Sequence, residues 1–325
     1  LITASSQKLG LSKGRFRRAA LSFARNCAFL LILCVFFSIS SRYFLTFSNI
    51  ENILTSSSVL ALLALGSVFV IASGGIDLSV AAVMALSGVV TAAVYRDNPE
   101  LSSWLALLIC ASVGTLCGVV SGILLALTRA PSFIISLGML SVTRALAYIV
   151  ANGAPIYDLP QNVTEWGQGT VLGVPGPVAI MLLALIGSYL ILHHTRLGTH
   201  ILVLGDNSFA AEAMGIRIHN LRTKIFAISG ALSGVAGFVF MTRTNAGDPT
   251  AGQNYELMAI TAVILGGANL FGGKATIIGT VMGVLCLGVL QNGLNLLAVS
   301  SYYQVLFVGV VLISAAMLER FEDMA

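Results

Sequence analysis

The side chains that could do chemistry in this chain stand singly, each embedded in apolar sequence. Asp77 follows Gly74 and Gly75 at the end of an apolar run and precedes Ser79. A carboxylate at a membrane boundary is costly unless it is solvated, paired or bound to backbone N–H groups. Its position therefore predicts a cap on the N-terminus of the span that Ser79 opens, with gating or a place on a solute path as the functional reading. Arg144 lies midway along another apolar run, so its guanidinium must face a protein interior or an aqueous cavity, as a hydrogen-bond anchor or a solute contact. Gln291 and Asn295 are spaced i, i+4 with Asn292 beside them, an uncharged polar stripe of the kind that joins helices or lines a channel.

Other chemistries are not supported. The glycine-rich stretch Gly266 to Lys274 fails as a phosphate loop, because the motif would need glycine at Ala268 and a hydroxyl at Ala275. ATP hydrolysis by this chain is therefore not expected, and no catalytic residue is assigned. No series of Asp, Glu or His crosses the apolar runs, which argues against a proton relay or a carboxylate-built sodium site. The five cysteines, Cys27, Cys34, Cys110, Cys117 and Cys286, lie within apolar runs without ligand-like spacing and read as small core residues, so no metal site is expected. His193, His194, His200 and His219 cluster near basic residues, a pattern of topology rather than catalysis.

The elements that hold these residues are membrane helices. Of 325 residues 57% are hydrophobic and 9% charged, too much apolar surface for a soluble domain to hide. The apolar runs reach the ~20 residues that cross a bilayer as helix, and 33 glycines suit closely packed spans. The fold class is all-α: a polytopic helical membrane protein with about ten spans, over residues 21–40, 54–73, 79–95, 104–127, 133–151, 177–194, 225–243, 257–271, 275–298 and 302–318. The eighth is short and ends in glycines, which fits a broken helix or a re-entrant turn. Residues 1–20 are expected as a cytoplasmic N-terminal segment, 21–318 as the transmembrane domain and 319–325 as a cytoplasmic tail. The first run lacks a small-residue cleavage site and reads as a retained anchor.

Charge sets the orientation. With both termini inside, the inner face holds Lys8, Lys13, Arg15, Arg17, Arg18, Arg129, Arg196, Arg217, Arg222, Lys224, Lys274 and Arg320, and the outer face only Arg42, Arg96 and Arg243. The net charge of +4 thus follows topology, and nucleic acid is not an expected partner. The outer loop 152–176 has no Lys or Arg but carries Pro155, Pro160, Trp166 and Pro175, as a compact interfacial cap would.

One polar run interrupts the apolar chain, residues 195–224. Asp206, Asn207 and Ser208 offer cap oxygens and Gly215 a left-handed stop, which predicts a short helix over Phe209, Ala210, Ala211, Glu212, Ala213 and Met214, followed by Ile216. So short a helix needs something to pack against. An internal echo places Gly74-Gly75 opposite Gly266-Gly267 and Asp77-Leu78 opposite Asn269-Leu270, each after an inward-running span, which suggests a parallel repeat.

Several motifs then agree in order and spacing: Gly74-Gly75-Ile76-Asp77-Leu78-Ser79-Val80, Pro131 with Phe133, Gly205 and Asn207 with Ala210, Ala211, Gly215 and Ile216, Thr250-Ala251-Gly252, Tyr255-Glu256-Leu257, Leu265-Gly266-Gly267, Asn292-Gly293-Leu294-Asn295 and Ser300-Ser301-Tyr302-Tyr303-Gln304. From about Phe44 to Leu318 the chain resembles the permease subunits of ribose-type ABC importers, in the branched-chain-amino-acid and sugar permease superfamily. It departs from that pattern at Ala81-Ala82, Met258 and Phe271, which weakens transfer of a particular sugar specificity.

The resemblance implies a multi-pass protein of the bacterial inner membrane, importing a ribose-like pentose or related sugar by alternating access. It implies three partners: a second permease chain, identical or related, a cytoplasmic ABC ATPase that holds ATP and Mg, and a periplasmic sugar-binding protein. It makes Asn207 to Ile216 the segment that couples to the ATPase, and assigns no cofactor to this chain. A nucleoside, a furanosyl signalling compound or a branched-chain amino acid is the alternative solute. An ATP-independent channel or carrier is the alternative class.

Overall fold

The computed structural model describes residues 24–128 and 130–324; the N-terminal segment 1–20, its basic residues and Arg129 lie outside them. Among the described residues seven helices are long and apolar enough to cross a bilayer: Phe47–Ala72 (α2), Val80–Asp97 (α3), Ser103–Thr128 (α4), Ser132–Val150 (α5), Gly176–His194 (α7), Ile218–Thr244 (α10) and Ile277–Leu296 (α12). The other three expected spans correspond to shorter apolar helices, Ala24–Ser40 (α1), Tyr255–Leu265 (α11) and the apolar part of Ser301–Met324 (α13). The chain is therefore a helical, multi-pass membrane protein. Among the described residues strand is confined to two-residue pieces, Ile156–Tyr157 (β1), Thr170–Val171 (β2), Val174–Pro175 (β3) and Ala246–Gly247 (β4), paired antiparallel β1 with β4 and β2 with β3.

α2 forms the centre, with all of its last sixteen residues buried, and α7, α10, α11 and α12 pack around it. α4 and α5 turn leucines and isoleucines such as Leu108, Leu116, Leu127 and Ile149 outward, where only lipid or another chain can cover them. α4 and α10 meet backbone to backbone. A β-carbon at Gly114 would lie 2.7 Å from the Gly234 nitrogen, and one at Gly118 would overlap the Phe226 carbonyl oxygen. With no hydrophobic drive between helices in lipid, this close glycine seam supplies the dispersion contact that holds them.

The loops sort into two ends. At one end the turn after α2 meets Ser132, the end of Arg196–Asp206 (α8) and the loop before α12. At the other, Gln161–Gln168 (α6) ties the 152–176 loop down: Asn162 Nδ2 donates to Leu101 O and Trp166 Nε1 to Ser103 Oγ.

Four details differ from the sequence reading. The second span begins at Phe47 rather than residue 54. The seventh span begins at Ile218 rather than residue 225, so Arg222 and Lys224 ride on its first turns. The eighth is a half-helix: α11 spans only about 16 Å at 1.5 Å per residue. What precedes it is a re-entrant segment that enters from the α10 end. It passes Ala92 at Gly247 and reaches Met84 and Ala81 at Gly252.

The repeat, lastly, has a one-residue offset. Gly74 and Gly267 are both left-handed, and each closes its helix by donating to an isoleucine carbonyl, Ile71 and Ile264. Asp77 and Asn269 each accept from the backbone N–H two residues on, at 2.9 and 2.7 Å. Gly74 therefore matches Gly267, not Gly266, and the second copy has one residue fewer before its Asx turn.

Candidate functional site

Two regions at opposite ends of the bundle gather most of the candidate residues. The first is the segment Asn207 to Ile216, expected from the resemblance to couple to an ATPase. α8 is capped by Thr195, whose Oγ1 accepts from Gly198 N at 3.3 Å. Asn207 ends α8 and caps the next helix, Ser208–Ala213 (α9), accepting from Ala210 N at 3.0 Å. α9 stops where Gly215 adopts a left-handed φ of 77° and Ile216 N donates to Ala211 O. The helix lies one residue earlier at each end than the sequence predicts. Ala211 is fully buried against the chain, whereas Phe209 is 85% and Met214 61% exposed, with Ser208, Ala210, Glu212 and Ala213 also outward. Among the described residues these two large apolar side chains, at the tip of a six-residue helix, stay mostly uncovered.

The last turn of α8, which leads into α9, forms a junction made almost wholly of backbone. Gly273 N donates to Ala72 O at 3.0 Å, joining the loop before α12 to the last residue of α2. Gly205 in the last turn of α8 sits over that bond: a β-carbon there would reach the Gly273 nitrogen at 2.5 Å and overlap the Ala72 oxygen. Gly272 packs on Gly74 and Gly205 in the same way. Gly75 rests on Val70, so the turn after α2 doubles back beside its own helix.

That return carries Asp77 into the bundle. Its Oδ1 accepts from Ser79 N and Ser79 Oγ, at 2.9 and 2.6 Å, and its Oδ2 from Ser229 Oγ at 2.9 Å. Ser229 packs against Gly66, six residues before the end of α2, which places the carboxylate about 9 Å inside. Asp77 does not cap the first-turn amides of α3, and Ser79, the cap residue, makes no side-chain cap bond. The carboxylate instead satisfies the Ser79 amide and latches α3 to α10.

Arg144 serves the re-entrant segment. Its Nη1 donates to Pro249 O at 2.7 Å and Ala251 O at 2.9 Å. Irregular backbone at membrane depth needs internal partners, and here the guanidinium supplies them. Arg144 is thus an anchor and does not line the cavity described next.

The second region is a cavity of about 310 Å³ at the end opposite α9. Gln291, Asn292 and Asn295 of α12 line it, as the polar stripe suggests, and Gly74, Gly75, Asp77, Ser79 and Arg144 do not. Asn292 exchanges amide bonds with Asn49, at 2.9 and 3.0 Å, and Asn295 Oδ1 accepts from Gln304 Nε2 at 2.7 Å, so these two join helices as well as form wall. Gln291 has only a weak bond to Met258 Sδ, at 3.4 Å. Sequence reasoning missed the facing wall, Asn52 and Ser56 of α2 and Arg243 of α10. Arg243 Nη2 donates to Ser56 Oγ at 2.9 Å and Ser56 Oγ to Asn52 Oδ1 at 3.3 Å. The i, i+4 spacing of Asn52 and Ser56 was the available signal. Among the described residues no cluster of three or more His, Cys, Asp or Glu could hold a metal ion.

Comparison with known proteins places this architecture. Residues 49–316 match the family model described as the branched-chain amino acid transport system / permease component. The chain is 39% identical over 309 residues to the ribose import permease protein RbsC of Escherichia coli (strain K12), covering 94% of this chain and 96% of that one. It is 39% identical over 293 residues to RbsC of Bacillus subtilis (strain 168), covering 90% of each. With the D-allose transport system permease protein AlsC of Escherichia coli (strain K12) it shares 36% identity over 292 residues, 89% of each. The chain belongs to the branched-chain amino acid transport system / permease component family, and is a transporter component rather than an enzyme.

Proposed function

We propose that this chain is the membrane-spanning permease subunit of an ATP-driven, binding-protein-dependent importer of a monosaccharide. It works as one of two permease chains in a bacterial inner membrane, with both termini cytoplasmic. A separate ATPase holds ATP and Mg, and a periplasmic binding protein delivers the sugar. The relatives' sugars, ribose and allose, support the solute class.

The observation that carries the reading is α9, a capped six-residue helix that presents Phe209 and Met214 outward and follows directly on the α8 turn that carries the Gly205 junction. Its outer face fits a groove on the ATPase, an apolar helix-in-groove contact. Closure of the ATPase pair displaces α9, the junction carries that displacement to the ends of α2 and the loop before α12, and the spans rock to expose the other side.

The test is co-reconstitution with the ATPase and binding protein in proteoliposomes. Sugar uptake is expected only with both partners and ATP, and Phe209→Asp is expected to abolish it while the chain still inserts and assembles with its twin. Uptake by the chain alone, or undiminished uptake by the variant, refutes the reading.

A further inference from the structure

We infer that the cavity between α2, α10, α11, α12 and α13 is a binding pocket for a small neutral polyhydroxy solute, contained within each single chain. The inference rests on the importer reading for its biological role, but its binding chemistry is independent of it.

Size comes first. A volume of about 310 Å³ holds roughly ten waters at ~30 Å³ each, room for one monosaccharide-sized molecule. It lies at the low end of the ~300–1,000 Å³ range of ligand pockets.

The wall chemistry then selects. Voids that stay empty inside proteins are apolar, whereas this one is walled largely by amides and hydroxyls. An amide both donates and accepts, as a sugar hydroxyl does, so a set of amides matches a set of hydroxyls whichever way each hydroxyl turns. Asn292 and Gln304 are occupied with helix joining, but other groups are left over. Among the described residues Gln291 Oε1 accepts no hydrogen bond, and Asn52, whose Oδ1 is taken by Ser56, keeps its amide donors unused. Arg243 spends one bond on Ser56 and pairs with no carboxylate among the described residues, leaving further guanidinium donors. Tyr255 adds an aromatic ring, which suits the C–H face of a sugar.

Charge excludes the other classes. The wall has no Asp or Glu, so it offers nothing to an ammonium group and disfavours a cation or an amino-acid zwitterion. Its one cation is already tied into the Arg243, Ser56, Asn52 relay, a geometry that orients donors rather than clamps a phosphate bidentately.

The experiment uses the purified full chain in nanodiscs, titrated with D-ribose, D-allose, L-arabinose, D-ribose 5-phosphate and L-leucine, read by saturation-transfer NMR and calorimetry. At least one neutral sugar is expected to bind saturably. Gln291→Leu and Asn52→Leu, each first shown to melt at the wild-type temperature, are expected to weaken it roughly tenfold. Wild-type affinity in both variants overturns the pocket. So does the absence of saturable sugar binding to a chain that, assembled with its ATPase and binding protein, transports that sugar. Tighter, variant-sensitive binding of the phosphate or of leucine overturns the neutral class. Saturable, variant-sensitive sugar binding by a chain whose assembly transports nothing supports the pocket and removes the importer reading.

Discussion

The last turn of α8 lies so close to the last residue of α2 that a β-carbon on Gly205 would overlap the carbonyl oxygen of Ala72. The two helices meet through backbone, and the oxygen concerned is the acceptor for Gly273 N. At this contact no side chain lies between α8 and the end of α2, so a displacement of α8 should displace the span end.

Gly205→Ala is therefore expected to push α8 off α2 and break the Ala72–Gly273 hydrogen bond. In reconstituted assemblies uptake should fall at least about tenfold, equivalent to ~1.4 kcal/mol, while ATP hydrolysis continues. Measuring hydrolysis and uptake in the same vesicles separates this from misassembly. Proportional loss of both would assign the glycine to folding rather than transmission.

Asp77 tests whether the carboxylate is needed for its charge or its acceptors. Asp77→Asn keeps an oxygen for the Ser79 donors and turns an amide donor toward Ser229 Oγ, which can rotate to accept. Asp77→Ala leaves the Ser79 amide and both hydroxyls without this partner. The alanine variant is expected to lose about 2–4 kcal/mol of stability and the asparagine variant less than about half of that. Thermal unfolding in detergent reads both.

Arg144→Ala would strand the Pro249 and Ala251 carbonyls at membrane depth, at a cost of about 2–5 kcal/mol. Arg144→Lys should recover part of this, since an ammonium donates but lacks the planar reach of the guanidinium. Protease cleavage near Gly252 and Asn254 should rise in the alanine variant. Unchanged protection there would mean that the segment holds itself.

The helix seam gives a paired comparison. Gly118→Ala should cost about 1–3 kcal/mol, because its β-carbon would overlap the Phe226 carbonyl and force α4 from α10. Gly187 of α7 meets nothing within 4 Å, so Gly187→Ala should be neutral or stabilising by up to about 1 kcal/mol. Melting temperatures of the two variants should diverge in opposite directions from the wild type.

What could be read from the sequence depended on whether the signal was local. Spans such as 104–127, 133–151 and 177–194, the caps at Asn207 and Gly215 and the i, i+4 stripe at Gln291 and Asn295 are local, and these appear in the structure close to their expected places, whereas the second and seventh spans start well before theirs and the eighth is a half-helix. Arg144 was placed in a protein interior for the right reason, but its partners are carbonyls more than a hundred residues away, and backbone atoms leave no mark in side-chain sequence. Arg243 entered only as a charge on the outer face. Its opposition to Ser56 and Asn52 depends on how α10 packs against α2, which no single-segment pattern encodes. The Asp77 cap was misassigned because a glycine pair predicts that the chain turns, not that it returns alongside its own helix.

α10 has a consequence beyond its packing. It starts at Ile218, three residues past the Gly215 stop, and runs without a proline for 27 residues to Thr244, about 40 Å. The coupling turn and the cavity cation Arg243 are therefore opposite tips of one stiff rod, braced along its flank by α4 and pinned near its middle by Ser229 to Asp77. A rod held at a fulcrum swings at both tips together. An inward pull at Gly215 would shift Arg243 against Ser56 in the opposite sense, so that, on the proposed function, the stroke of the motor and the grip on the solute would be two readings of a single angle.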